Sequence, residues 1–168
     1  MYNPNMEFLR PEQYQPLAWE IFFSLKENIS RVLPFARIEH IGSSSVEGCI
    51  SKGDLDIFVG VDAEQFENAI DLIQSLGFQI KTESFRSKEL CPFYLKQPKL
   101  DVGLQLVLNK SEFEDFIRFR DALRTSHELL SKYNEFKNNS THLSHEKYRE
   151  EKSEFIVKTL SSINRIQK

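Results

Sequence analysis

Two carboxylates two residues apart, Asp54 and Asp56, are the groups in this chain best placed to do chemistry. Residues i and i+2 of a strand project from one face, so Asp54-Leu55-Asp56-Ile57 would present both acids together. Held that close, they repel each other unless a cation or a proton lies between them. A hard divalent cation such as Mg2+ suits paired carboxylates combined with substrate phosphates. Upstream stand Gly42 and Ser43. The glycine lets the backbone approach a phosphate closely, and the serine adds a hydroxyl and an N–H. A Gly-Ser turn beside a carboxylate pair could hold a metal-bound nucleoside triphosphate. Each signal is weak alone, because Asp-x-Asp is common on surfaces and Gly-Ser-Ser-Ser is more often just a flexible loop. Their spacing, after one short strand and at the head of another, is what makes them specific.

Those strands need a scaffold, and the hydrophobic pattern supplies one. From Pro11 to Leu33 the residues Leu17, Ile21, Phe22, Leu25, Ile29 and Val32 recur with helical spacing, and Pro34 ends the run. Arg37 to Ile41 reads as a short strand stopped by Gly42, and Gly42 to Gly53 as a loop with room for one short turn. Leu55 to Val61 reads as a buried strand. Asp62 to Leu76 reads as a helix capped by Asp62 and closed by Gly77. A β-rich stretch follows, with strands over Phe93–Lys96 and Leu100–Leu108 joined at Gln97-Pro98. Ser111 and Glu114 have the spacing of a capping box for a helix. Two more helices are expected, one over about 128–137 and one from Ser144 onward. The order is α+β: a small mixed β-sheet with packed helices and a helical last third, forming a single domain over residues 1–168.

The residues around the acids carry a resemblance. Glu39-His40-Ile41-Gly42-Ser43-Ser44-Ser45-Val46, Gly48, Lys52 and Asp56-Ile57 are similar to the "EHIGSTAVPGL…KP.IDI" segment of the GrpB family. The likeness continues through Phe119-Arg120-Asp121-Ala122-Leu123-Arg124, His127-Glu128-Leu129, Tyr133, Lys137, Tyr148, Lys152 and Phe155-Ile156. It implies a nucleotidyltransferase-like fold. This chain departs from the family at two places. Lys52-Gly53-Asp54-Leu55-Asp56 keeps two acids where relatives usually have Lys-Pro and a single Asp, and the family's His-x-His strand motif stands here as Gly103-Leu104-Gln105. Active members of the wider superfamily commonly use a third acid on a nearby strand. Asp101, in phase with Gly103 and Gln105, is the candidate, and an exposed strand-end Asp is the alternative. The match also brings Lys52 and Lys152 forward as partners for a triphosphate. His40 either touches substrate or packs at its strand end.

Composition narrows the field. The chain has 168 residues, 40% of them apolar with fourteen Phe, and a formal charge of −3. That is core enough for one domain, and the mild acidity gives no strong nucleic-acid signal. Cys49 and Cys91 have no zinc-site spacing. The N-terminus shows no signal-peptide pattern, and no apolar run approaches the roughly 18 residues of a membrane span, so a cytoplasmic protein is expected. The expected function is Mg2+-dependent transfer of a nucleoside monophosphate from a nucleoside triphosphate to an unknown acceptor. Asp54, Asp56 and Asp101 would be catalytic and metal-holding, and Gly42, Ser43, His40, Lys52 and Lys152 substrate-binding. The competing reading is a non-catalytic module that binds a nucleotide or phosphometabolite. It gains from the occurrence of GrpB-like domains fused to dephospho-coenzyme A kinase.

Overall fold

A computed structural model describes residues 6–166. Five strands form one mixed sheet in the order β1-β2-β5-β4-β3. They are β1 (Arg37–Ile41), β2 (Leu55–Val61), β3 (Gln79–Ile80), β4 (Leu90–Leu95) and β5 (Val102–Leu108). Only β2 and β5 run parallel, with Asp56 opposite Gly103; the other pairs are antiparallel, with Ile41 opposite Asp56. The α+β class, the small mixed sheet and the helical last third match the sequence reading.

One sheet face is sealed. Leu55, Ile57 and Val59 of β2 alternate inward with Val102, Leu104 and Leu106 of β5. Against them pack α1 (Pro11–Val32), through Tyr14, Ala18, Phe22 and Ile29, and α2 (Phe66–Ser75), through Phe66, Ala69, Ile70 and Ile73. On the other face Ile41, Phe58, Leu90 and Val107 lie under Phe113, Phe116 and Ile117, at the start of α3 (Asp115–Thr125). Asp56, Gly103 and Gln105 lie on the same face. The last two helices, α4 (His127–Asn139) and α5 (His145–Ile166), join α3 around Phe119, Leu123, Tyr133 and Leu160.

Two helix starts differ from the sequence reading. Asp62 does not cap the second helix. Its carboxylate accepts from the Asn109 amide at 2.8 Å, and a 3-10 turn over Ala63–Gln65 precedes α2. Ser111 and Glu114 form no capping box. The Glu114 carboxylate accepts from the Lys110 N–H at 2.9 Å, and a 3-10 turn over Glu112–Glu114 leads into α3. For Asp62 the competing partner is distant in sequence and invisible to the local pattern; for Glu114 it is the N–H one residue before the expected cap. The strand placed at Phe93–Lys96 begins three residues earlier, at Leu90, and β3 adds a two-residue edge strand. Among the described residues no helix is long and apolar enough to cross a membrane.

Candidate functional site

The site begins where β1 ends. Gly42 has φ 72°, a conformation side-chain-bearing residues rarely adopt, and it turns the chain into a 3-10 turn over Ser43–Ser45. A Cβ placed on Gly42 would lie 2.5 Å from Asp56 Oδ2, and one on Gly103 would lie 2.8 Å from Asp56 Oδ1. The Asp56 carboxylate therefore rests in a slot between two glycines, one just past the end of β1 and one in β5. Burial and the neighbouring Asp54 push the Asp56 carboxyl up to about 6, against the pull of Lys152, Lys81 and Lys137. Asp54 is exposed at the mouth of the same face.

The loop after Gly42 is pinned by side chains from three helices. Gln15 of α1 donates to the Val46 carbonyl at 2.7 Å, and Arg124 of α3 donates to the Ser45 carbonyl at 2.8 and 3.1 Å. Asn134 of α4 donates to the Gly48 carbonyl and accepts from the Ile50 N–H. From the same helix, Lys137 brings its ammonium to the Ser43 hydroxyl and to the Ile50 carbonyl, at 2.5 and 2.6 Å. Lys137 is 2% exposed. Its Nζ also lies 4.3 Å from the Tyr133 ring centroid, one helical turn back.

The other lysines gather nearby. Lys152 of α5 is half-buried. Tyr133, Tyr148, Asp56 and Asp54 together hold its ammonium above the ordinary range, with burial opposing them. Lys52 lies over the Tyr148 ring at 4.7 Å. Burial lowers its pKa, Asp54 raises it, and Lys152, Arg149 and Lys137 lower it further. Gly42, Ser43, Lys52, Asp54, Asp56 and Lys152 thus gather around the ends of β1 and β2.

Two expected residues are placed differently. His40 pairs with Ile57, so alternation puts its side chain on the α1 face, away from Asp56. Its ring is 3% exposed, stacks on Phe22 at 4.8 Å, meets Trp19 edge-on at 4.3 Å, and reaches the Ser44 hydroxyl at 2.7 Å. Burial, with Arg124 and Arg120, lowers its pKa to about 3, so it is a neutral packing residue that steadies the loop. Asp101 precedes β5, is exposed, and uses its carbonyl to accept from the Leu55 N–H at 3.0 Å. Lys137 was not among the site residues read from sequence, although Tyr-x-x-x-Lys occurs twice, at Tyr133–Lys137 and Tyr148–Lys152.

Among the described residues no three His, Cys, Asp or Glu are grouped to hold a metal. The donor set of Asp54 and Asp56 therefore does not make an all-protein cage. It fits a cation that takes its remaining ligands from phosphate oxygens and water, as Mg2+ does beside nucleotides. Behind the pinned loop lies a separate cavity of about 850 Å3, lined by Gln15, Trp19, Val46, Arg124, His127 and Asn134.

The motif that opens this site and the helices that close it fall within one match. Residues 12–162 match the family described as GrpB protein. The chain belongs to the GrpB family. It is 45% identical over 160 residues to a UPF0157 protein of Vibrio cholerae serotype O1, covering 95% of this chain and 85% of that one. The crystal structure of the conserved protein GrpB from Enterococcus faecalis shares the fold, with TM-score 0.73 and 21% identity over 94% of this chain and 99% of that one. A fainter likeness, TM-score 0.47 at 13% identity, extends to the Cid1 poly(U) polymerase, of which it covers 45%.

Proposed function

We propose that the cleft binds a nucleoside triphosphate together with Mg2+ and transfers its nucleoside monophosphate to an acceptor hydroxyl. The observation that carries this reading is the Asp56 carboxylate, seated between Gly42 and Gly103 at the foot of the loop that begins with Ser43. Asp54 and Asp56 would hold the Mg2+, which when bound draws charge from the phosphate oxygens. Gly42 allows a phosphate to approach the backbone, and Ser43 is oriented for that contact by Lys137. Lys52 and Lys152 offset phosphate charge from the helical side. Asp101, beside Asp54 at the head of the neighbouring strand, would take the proton of the acceptor hydroxyl.

A second reading is a module that binds a nucleotide or another phosphorylated metabolite without turning it over. The exposure of Asp101, and the lack of a three-acid group among the described residues, favour it. Thermal shifts with each nucleoside triphosphate, with and without Mg2+, separate the two. A shift that needs both components, with release of pyrophosphate when acceptors are supplied, supports transfer. A shift indifferent to metal, with no pyrophosphate under any condition, supports the binding module.

A further inference from the structure

A desolvated charge in a folded protein is ordinarily matched by an opposite one. Buried Lys137 and half-buried Lys152 are not, and neither is the exposed Lys52 beside them. Among the described residues neither Lys52, Lys137 nor Lys152 lies within 4.0 Å of a carboxylate oxygen; every ion pair of that length involves other cations. Their partners are neutral. Lys137 has a hydroxyl, a carbonyl, the Cys49 sulfur and the Tyr133 ring, and Lys52 has the Tyr148 ring. Lys152 stands one turn beyond Tyr148 and within the field of Asp56 and Asp54. Cation–aromatic seating fixes where an ammonium sits without neutralising it.

The charge count points the same way. Three ammonium groups face two carboxylates, an excess of one positive charge, and Arg149 and Lys81 add to the field. The chain as a whole carries −3. A local positive excess in an acidic protein, on rigid helix faces and beside a loop pinned from three sides, is a site waiting for an anion. Because the ammonium groups come from the loop, α4 and α5, they surround the cleft from several directions and suit an anion with several oxygens spread along a chain.

We propose that the lysine side of the cleft is a phosphate-chain site in its own right, one that holds inorganic tripolyphosphate, and the β- and γ-phosphates of a nucleotide, without any metal. This rests on the nucleotide reading of the same cleft and assigns its anion-holding part to Lys52 and Lys152, with Lys137 adding its charge from beneath Ser43, rather than to Mg2+. The acids then have the opposite effect. Without metal, Asp54 and Asp56 repel the phosphate chain; with Mg2+ they recruit it.

The test is calorimetric titration of inorganic tripolyphosphate into the full chain in EDTA. Binding is expected, weakened as NaCl is raised. Lys52→Gln and Lys152→Gln should each weaken it about tenfold, the loss of one charge-assisted contact. Asp54→Asn should tighten it severalfold in EDTA while weakening the binding of ATP with Mg2+. Circular dichroism and melting of each variant confirm that the fold is kept. If tripolyphosphate fails to bind in EDTA while ATP with Mg2+ binds, this inference is overturned and the nucleotide reading stands. Equal binding by the lysine variants, or weaker metal-free binding by Asp54→Asn, overturns it as well. If neither ligand binds under any condition, both fall together.

Discussion

The two faces of the sheet solve opposite problems. On the α1 and α2 side, β2 and β5 present only aliphatic side chains, and every residue named there is buried. On the other side the same two strands, one residue out of phase, present Asp56, Gly103 and Gln105 to a cleft edged by lysines. The first face gains its stability from water removed from apolar surface. The second holds two acids together, leaves three ammonium groups without carboxylate partners, and gives up a side chain at Gly42 and at Gly103. A sheet can carry such a face only because its reverse is closed so completely. Stability and chemistry are thus separated by strand parity rather than by sequence distance.

Substitutions can break this division of labour. Leu104→Ala, on the sealed face, should cost about 2–5 kcal/mol in urea unfolding and leave nucleotide affinity of the folded fraction unchanged. A loss of affinity matching the loss of stability would show that the faces are not independent. Lys137→Met should cost roughly 1–3 kcal/mol, because Ser43 Oγ and the Ile50 carbonyl lose their donor, and it should loosen the loop as read by amide exchange at residues 43–50. Gly42→Ala should cost about 1 kcal/mol or more, since it adds a Cβ at φ 72° and drives it against Asp56. Its effect on ligand binding should exceed its effect on stability.

The smallest effect sharpens the comparison through pH. The Asp56 carboxyl is raised from 3.8 to about 6, so between those values the folded chain holds a proton that the unfolded chain releases. Its contribution to stability is therefore present at low pH and is lost as pH rises through about 6. Asp56→Asn should remove that slope from the ligand-free melting curve. Metal-dependent binding should run the other way in the unsubstituted protein, falling as pH drops below about 6. A pH-independent affinity would remove Asp56 from the site.

Much of this was legible in the residues. The strands β1 and β2 and the helix α1 have strong periodicity and hard stops at Pro34 and Gly42, so their limits could be read directly. The side of β2 that Asp56 takes follows from the pleat alone. The same parity, applied to His40, places it with Ile38 on the core face, so its packing role was available from the alternation. The edge strand β3 was not legible, because two residues carry no period. The starts of α2 and α3 differ because Asn109, far along the chain, claims the Asp62 carboxylate and the N–H of Lys110, just before Ser111, claims that of Glu114. Lys137 escaped notice as a site residue because a lysine near a helix end is ordinarily solvated. Only the packing of α4 against the loop shows it buried.

The most direct test is a crystal structure of the protein with a non-hydrolysable ATP analogue and Mn2+, the metal located by anomalous scattering. The account predicts a metal bound at about 2.1 Å to carboxylate oxygens of Asp54 and Asp56. The triphosphate should lie over Gly42 and Ser43, with its terminal phosphates facing Lys52 and Lys152. A nucleotide seated instead in the cavity behind the loop, against Trp19 and Arg124 with no metal at Asp54 or Asp56, would contradict it.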